Sequence, residues 1–259
     1  MFNYAYHFNP RHHYMKKILE EFREKLLLKG GVYNPNHPDL VFVFGGDGTM
    51  LSAIKKFGKK NAPFMLINDG TLGYNKEFDL RELDWIYKNF SYDDLTFESH
   101  HFLKIEDKYG NYSLACNEFL LANAVKTLDF VVFLNGNYFM EVHGSGVCVC
   151  SSFGSTGYNH SLGGALFTSS DSLGLALFAP IRNRVYHPLV SSLVTAKGDK
   201  IGLEVLNDVE YEIAGDMRPT TTKLIGNEFT ISLSNKVFKL AHIRPFSKYQ
   251  RMRNGFIED

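Results

Sequence analysis

Val41-Phe42-Val43-Phe44-Gly45-Gly46-Asp47-Gly48-Thr49 is the stretch that decides how this chain folds. Four consecutive apolar residues suit a strand buried on both faces, and Met50, Leu51, Ile54 and Phe57 then recur at helical spacing. The glycines therefore fall in a connecting loop. Without Cβ atoms there, backbone N–H groups can approach an anion closely, and the helix start adds partial positive charge. Asp47 has two readings on these residues alone: an acid presented to a phosphate through a bridging cation, or an acid that only caps the helix and complements its dipole.

Outward from this turn the same alternation continues. Residues 4–8 read as a first short strand, and residues 11–29 as a helix whose stripe is Met15, Ile18, Leu19, Phe22 and Leu26, stopped by Gly30-Gly31. Phe64-Met65-Leu66-Ile67 reads as another buried strand leading into Asn68-Asp69-Gly70-Thr71-Leu72-Gly73. Strands alternating with helices to about residue 89 predict a parallel, Rossmann-like α/β layer, with ligands bound beyond the carboxyl ends of its strands. After Phe97 the texture changes to short segments rich in β-branched and aromatic residues. Asn135-Gly136-Asn137 between residues 130–134 and 138–142 is a hairpin signal, and Ser234-Asn235-Lys236 between residues 229–233 and 237–241 is read in the same way. The expected fold is thus α/β plus all-β: an α/β domain over residues 1–97, completed by the tail 243–259, and a β-rich, sandwich-type domain over 98–242.

The chain has 259 residues, enough for one large domain or two small ones, and its 28 basic and 28 acidic residues cancel. That balance gives no long-range attraction to nucleic acid. The N-terminus lacks the order of a signal peptide and no apolar run reaches the length of a membrane span, so a soluble cytoplasmic protein without a membrane partner is expected. Cys116, Cys148 and Cys150 lack the spacing of redox or zinc pairs, and Cys148 and Cys150 are placed on one face of a strand as packing residues. His12-His13 and His100-His101 are sequence neighbours whose side chains diverge, a poor arrangement for a metal. Neither a Walker-type lysine loop nor a Gly-x-Gly-x-x-Gly turn after a strand is present.

Taken in order, the Gly-Gly-Asp-Gly-Thr run, the Asn68 to Tyr74 segment, Asn117-Glu118, the block over residues 144–164, Ala179-Pro180-Ile181-Arg182-Asn183-Arg184-Val185-Tyr186 and the closing Phe256-Ile257-Glu258-Asp259 resemble the NAD kinases of compact bacterial type. The first motif is shared with diacylglycerol and sphingosine kinases. The Asn-Glu pair and Gly154-Ser155-Thr156-Gly157-Tyr158 single out the NAD kinase branch.

The resemblance implies transfer of the terminal phosphate of ATP, or of polyphosphate, to the 2′-hydroxyl of the adenosine ribose of NAD. By that resemblance Asp47 contacts the ribose and accepts the proton, Gly48 and its neighbours hold phosphates, and a divalent cation, magnesium foremost, arrives mainly on the phosphates. Asn117 and Glu118 are assigned to the dinucleotide, Thr156, Gly157, Tyr158, Asn159 and Ser161 to an adenine-binding loop, Ile181 and Tyr186 to the adenine pocket, and the Ala179 backbone to the nicotinamide. Tyr74 stands for a usual phenylalanine and Gly157 for a common alanine, while His143 takes a place where a basic residue is frequent. Ser145 replaces an aspartate that helps hold the nicotinamide side, so recognition of the carboxamide is expected to weaken or to pass through water. The family pattern further implies pairing of subunits into a dimer or tetramer. Two other functions are weighed: a lipid kinase of the diacylglycerol kinase type, and a nucleotide-binding regulator that has lost turnover.

Overall fold

The computed structural model describes residues 1–70, 73–189, 192–216, 224–245 and 247–257. Thr71 and Leu72 of the loop after the second buried strand, and the closing Glu258 and Asp259, lie outside the described residues. The chain divides into two units, Met1–Ser99 with Phe238–Asp259, and His100–Val237.

In the first unit β1 (Phe2–Phe8), β2 (Gly31–Tyr33), β3 (Leu40–Phe44), β4 (Phe64–Asn68) and β5 (Lys76–Asp79) form a parallel layer ordered β2-β1-β3-β4-β5. α1 (Met15–Leu27) buries Met15, Leu19, Phe22 and Leu26, with Ile18 partly buried beside them. The Phe22 ring meets Phe42 edge-on at 5.0 Å and Phe44 at 5.1 Å, a preferred aromatic geometry. Val41 and Val43 point the other way along β3 and are also buried, which is why this strand has no polar alternation. The helix begins at Met15 rather than near Arg11, with Pro10 shortly before the observed start.

Strand register decides what stands at the carboxyl edge. Phe8 pairs with Phe44 and Phe44 with Ile67, so the chain leaves β1, β3 and β4 at one level. The loop 45–46 and the start of α2 (Asp47–Phe57) are there, and so are residues 69–70 and 73–75 ahead of β5. After α3 (Leu83–Asn89) the chain runs into β6 (Thr96–Asp107). The tail closes this unit. Ile243 and Arg244 N–H groups both donate to Glu77 Oε1, His242 Nδ1 lies 2.8 Å from Glu77 Oε2, and α5 (Lys248–Phe256) follows, capped by Ser247. Burial pushes the His242 pKa down, but the bonds to Glu77 and Glu98 outweigh it and raise it.

The second unit is built of β7 (Tyr112–Ala115), β8 (Glu118–Ala122), β9 (Leu128–Leu134), β10 (Asn137–Ser151), β11 (Leu173–Pro180), β12 (Leu193–Thr195), β13 (Ile201–Val205) and β14 (Glu212–Gly215), with the greater part of β6 and of β15 (Glu228–His242). Its core takes Phe119 and Leu121 from β8, Phe130 and Val132 from β9, Val147 and Val149 from β10, and Leu203 and Phe229 from β13 and β15. The only helical pieces between β10 and β11 are a 3-10 turn over Phe153–Thr156 and α4 (Tyr158–Ser161). The hairpin at Asn135-Gly136 forms as its sequence requires. Leu134 pairs with Asn137, and the two loop residues take φ of 52° and 80°, the mirror-image turn that Asn-Gly favours.

The second expected hairpin does not form: residues 228–242 are one continuous strand. Ser234-Asn235-Lys236 contains no glycine, and β15 uses its two ends differently, Phe229 and Ile231 pairing antiparallel with β13 and Leu240 parallel with Phe64 of β4. Cys148 and Cys150 share a buried face of β10 with Phe167, and burial pushes the Cys150 thiol up to about 12. Among the described residues no helix is long and apolar enough to cross a membrane.

Candidate active site

Asp47 is the first residue of α2, and the residue in the capping position is Gly46, which has no side chain to offer. Its carboxylate is spent elsewhere. Oδ2 accepts the Tyr74 N–H at 2.9 Å, and Oδ1 accepts the Asn75 N–H at 3.1 Å and the Asn75 side-chain amide at 3.0 Å. Three donors from the loop after β4 thus fix both oxygens at the carboxyl edge of the layer. Gly45 is required here: its φ is +152°, and a Cβ would stand 2.3 Å from Thr49 Oγ1. Gly48 is the opposite case, since a Cβ there meets nothing within 4 Å. Its exposed backbone at the first turn of α2 has no intrahelical carbonyl for its N–H, which suits a phosphate oxygen.

Around this centre the loop is tied by further polar contacts. Asn68 is buried and donates to the Gly70 carbonyl at 2.8 Å. Asp69, with a side chain only 3% exposed, meets His12 Nδ1 at 2.6 Å and the Tyr14 hydroxyl at 3.0 Å. Tyr74 itself packs on Phe256 of α5 at 5.7 Å between ring centroids.

In the second unit the structure gathers Asn117, Glu118, Thr156, Gly157 and Tyr158 into one cluster. A Cβ on Gly154 would lie 2.2 Å from the Asn117 carbonyl oxygen, and one on Gly157 would lie 3.2 Å from Glu118 Oε2, so these glycines let the 154–158 turn sit directly against the Asn-Glu pair. Ser151 locks the join, donating from Oγ to the Cys116 carbonyl at 2.6 Å and accepting the Gly154 N–H. Tyr158 and Ser161 are exposed, while Asn159 is buried, its amide donating to the Ser155 and Ala165 carbonyls inside the loop.

Glu118 Oε2 is buried without a partner. Burial first, then the nearby Asp216 carboxylate, push the Glu118 pKa up to about 8, against the pull of the Tyr158 N–H. Asp216 accepts the Cys116 and Asn117 N–H groups, and burial raises its pKa as well. Because the folded pKa of Glu118 exceeds the ordinary 4.5, the native state holds an extra proton between pH 4.5 and about 8, and stability falls as pH rises through that window. Glu118→Gln should remove a few kcal/mol of that loss. His242 and Asp216 shift in the same direction, so the quantity to measure is the difference in urea-unfolding free energy between wild type and Glu118→Gln at pH 5 and pH 8. An equal pH slope in both proteins would refute the assignment.

A second group forms at the end of β11. His143 is paired with Asp129 and stacks on Tyr186 at 4.5 Å with planes 4° apart, and the Ile181 N–H donates to the His143 carbonyl at 2.7 Å. Ala179 has φ of 44°, a left-handed conformation that costs a non-glycine residue about 1 kcal/mol or more. Gly144 lies under it, where a Cβ would be 3.0 Å from the Ala179 carbonyl oxygen. Gly144-Ser145-Gly146 is also where β10 changes partner: Gly144 pairs with Leu128 of β9 and Gly146 with Ala122 of β8. Ser145 stands at that corner, its carbonyl accepting the Asn123 N–H at 2.9 Å.

Comparison with known proteins places the chain in a family. The family described as ATP-NAD kinase N-terminal domain matches residues 11–95. NAD kinase 1 of Listeria monocytogenes is 31% identical over 236 residues, covering 88% of this chain and 89% of that protein. This chain belongs to the NAD kinase family. The NAD kinase of Streptococcus gordonii is also 31% identical, over 250 residues, covering 93% of this chain and 91% of the relative. Among solved structures, yeast NADH kinase complexed with NADH superposes with a TM-score of 0.81 at 17% identity, covering 100% of this chain and 89% of that one. An NAD kinase from Archaeoglobus fulgidus in complex with ATP gives 0.74 at 21% identity, covering 99% and 98%. These two likenesses show the NAD kinase fold, an α/β layer followed by a β-rich portion.

Asn75, Asp216, His12 and Asp69 were not singled out for these roles from the sequence. Asn75 directly follows Tyr74 in the motif segment and could have been read from that adjacency. Asp216 lies 99 positions from the amide it holds, and no local pattern announces such a contact.

Proposed function

We propose that this NAD kinase transfers the terminal phosphate of ATP, or of polyphosphate, to the 2′-hydroxyl of the adenosine ribose of NAD. The observation that carries the reading is the Asp47 carboxylate, with both oxygens aimed by Tyr74 and Asn75 beside the open backbone of Gly48. A carboxylate so held accepts the hydroxyl proton without moving, and phosphoryl transfer asks the protein mainly for position and charge neutralisation.

Glu118 supports the same reading. A buried oxygen without a partner is costly, and a ligand hydroxyl would satisfy it. Asn117, Thr156, Gly157, Tyr158 and Ser161 form the surroundings of the dinucleotide, with Asn159 holding their loop in shape from within. His143, Ala179, Ile181 and Tyr186 offer a stacked, partly apolar wall for an aromatic base. Ser145 leaves the nicotinamide carboxamide a main-chain corner and a short hydroxyl in place of a carboxylate.

A divalent cation, magnesium in the first place, fits as the companion of the donor's phosphates beside Asp47 and Gly48, where it supplies charge neutralisation. A cytoplasmic homo-oligomer completes the proposal. The test is to incubate the purified protein with NAD, ATP and magnesium and assay NADP, with NADH run in parallel. Absence of product above an Asp47→Asn control would defeat it.

A further inference from the structure

The first unit contains a buried ionic join that the dinucleotide reading does not use. Glu77 of β5 and His242 at the end of β15 are nearly closed to solvent, with side chains 7% and 3% exposed. His242 Nδ1 lies 2.8 Å from Glu77 Oε2, while Oε1 accepts the Ile243 and Arg244 N–H groups at 3.0 Å each. One carboxylate thus grips three consecutive residues of the returning tail. The second ring nitrogen, Nε2, lies 3.7 Å from Oε2 of Glu98 on β6, within ion-pair reach, and the Thr96 hydroxyl donates to the His242 carbonyl at 3.3 Å.

An imidazole with a carboxylate at each nitrogen can donate to both only as the imidazolium. Neutral, it would turn a lone pair toward one acid and leave the two acids facing each other across an uncharged ring. The other charges around it are Arg251 of α5, which opposes the cation, Arg244, held by Glu82 at 2.9 Å, and Lys248, which faces Glu98. Burial lowers the His242 pKa, and the two carboxylates more than reverse that. Burial likewise raises Glu77, and its bonds to His242, Arg244 and Ile243 more than reverse it. With His242 above its ordinary 6.5, its contribution to stability is fully present below pH 6.5 and is lost as pH rises through the folded value. Glu77 loses its own contribution only as pH falls through a folded value under 4.5, so the join is complete between the two.

The join stands close to the acid. Glu77 follows Tyr74 and Asn75, whose N–H groups fix the Asp47 carboxylate. The far end of the same tail rests on Tyr74, since a Cβ on Gly255 of α5 would stand 3.1 Å from that ring. Between these two attachments loop and tail wall a cavity of about 440 Å³, a space into which the segment can shift when the join opens. We infer that His242, held as a cation between Glu77 and Glu98, is a positioning residue for phosphate transfer: it ties the tail to β5 and so keeps residues 74–75 aimed at Asp47, and turnover falls when it loses its proton. The inference rests on the kinase reading above and adds a pH-dependent control to it.

The full chain and its Glu98→Gln and His242→Gln variants are assayed for kcat and for KM of ATP and NAD from about pH 6 to 9, and the His242 ring is titrated by NMR. Wild-type kcat should fall about tenfold as pH passes the His242 midpoint, which lies above 6.5, with both KM values changed less than about threefold. Glu118 titrates in the same range, so the deciding quantity is the difference between proteins. Glu98→Gln removes one of the two acids and should carry the kcat limb and the NMR midpoint to lower pH together. His242→Gln should show a kcat about tenfold lower at pH 6 and lose that limb. A wild-type midpoint below 6.5, or a midpoint that moves in Glu98→Gln while the kcat limb stays, would overturn the inference. Should His242→Gln fail to fold, wild type and Glu98→Gln decide alone. Amide exchange at Ile243 and Arg244, corrected for its intrinsic pH dependence, keeps the two readings apart. No NADP from wild type at any pH defeats the kinase reading, while protection of those amides lost across the His242 midpoint still supports the join; NADP formation with their protection unchanged defeats only the join.

Discussion

Asp47→Asn is expected to lower kcat for NADP formation by about 10²- to 10⁴-fold, the range in which a positioned proton acceptor contributes. The substitution keeps one oxygen and the side-chain shape, but it replaces the other oxygen by an amide that faces the Tyr74 N–H or the two Asn75 donors. Two donors then oppose each other, and the loop relaxes by an amount worth about 1–3 kcal/mol. NAD affinity should therefore fall only modestly, less than tenfold by calorimetry, while turnover falls far more. A kcat within threefold of wild type would remove Asp47 from the chemistry.

The second large effect is structural and belongs to the other unit. An alanine at 154 would place its Cβ 2.2 Å from the oxygen, 2.4 Å from the carbon and 2.5 Å from the Cα of Asn117, all backbone atoms that cannot swing away. Either the 3-10 turn over Phe153–Thr156 or the Asn117-Glu118 strand entry must shift, breaking the Ser151 bonds that join them. Gly154→Ala should cost about 3 kcal/mol, at the upper end for overpacking, lower Tm by about 10 °C and abolish measurable NAD binding. Gly48→Ala is the comparison, since its Cβ meets nothing within 4 Å and its Tm should stay within a degree or two of wild type. Equal melting temperatures for the two variants would contradict the close approach at Gly154.

Much of the fold was legible because its signals are local. The four apolar residues before Gly45 are buried on both faces, the stripe on α1 faces the sheet, and Asn135-Gly136 makes the turn that only a pair tolerant of positive φ makes cheaply. The misread hairpin at 234–236 had flanking β-formers but no such pair, and the long strand there follows from partners nearly 180 residues away, as in Leu240 with Phe64. The same distinction holds at the site. Gly45, Gly48 and Asp47 could be placed at a strand end by pattern, and Asn117 and Glu118 by resemblance. That Glu118 keeps its proton to about pH 8 depends on burial and on Asp216, neither of which a window of neighbouring residues contains.

By itself, the order of residues determined where strands, helices and tight turns begin, because periodicity and glycine content act over a few residues. Only the folded chain decided that Asp47 serves the loop at 74–75 rather than its own helix, that Asn159 turns inward while Tyr158 turns out, and that a basic tail walls a cavity beside the acid. Those outcomes are set by desolvation and by contacts between segments far apart in the chain, and such energies exist only once the surfaces have met.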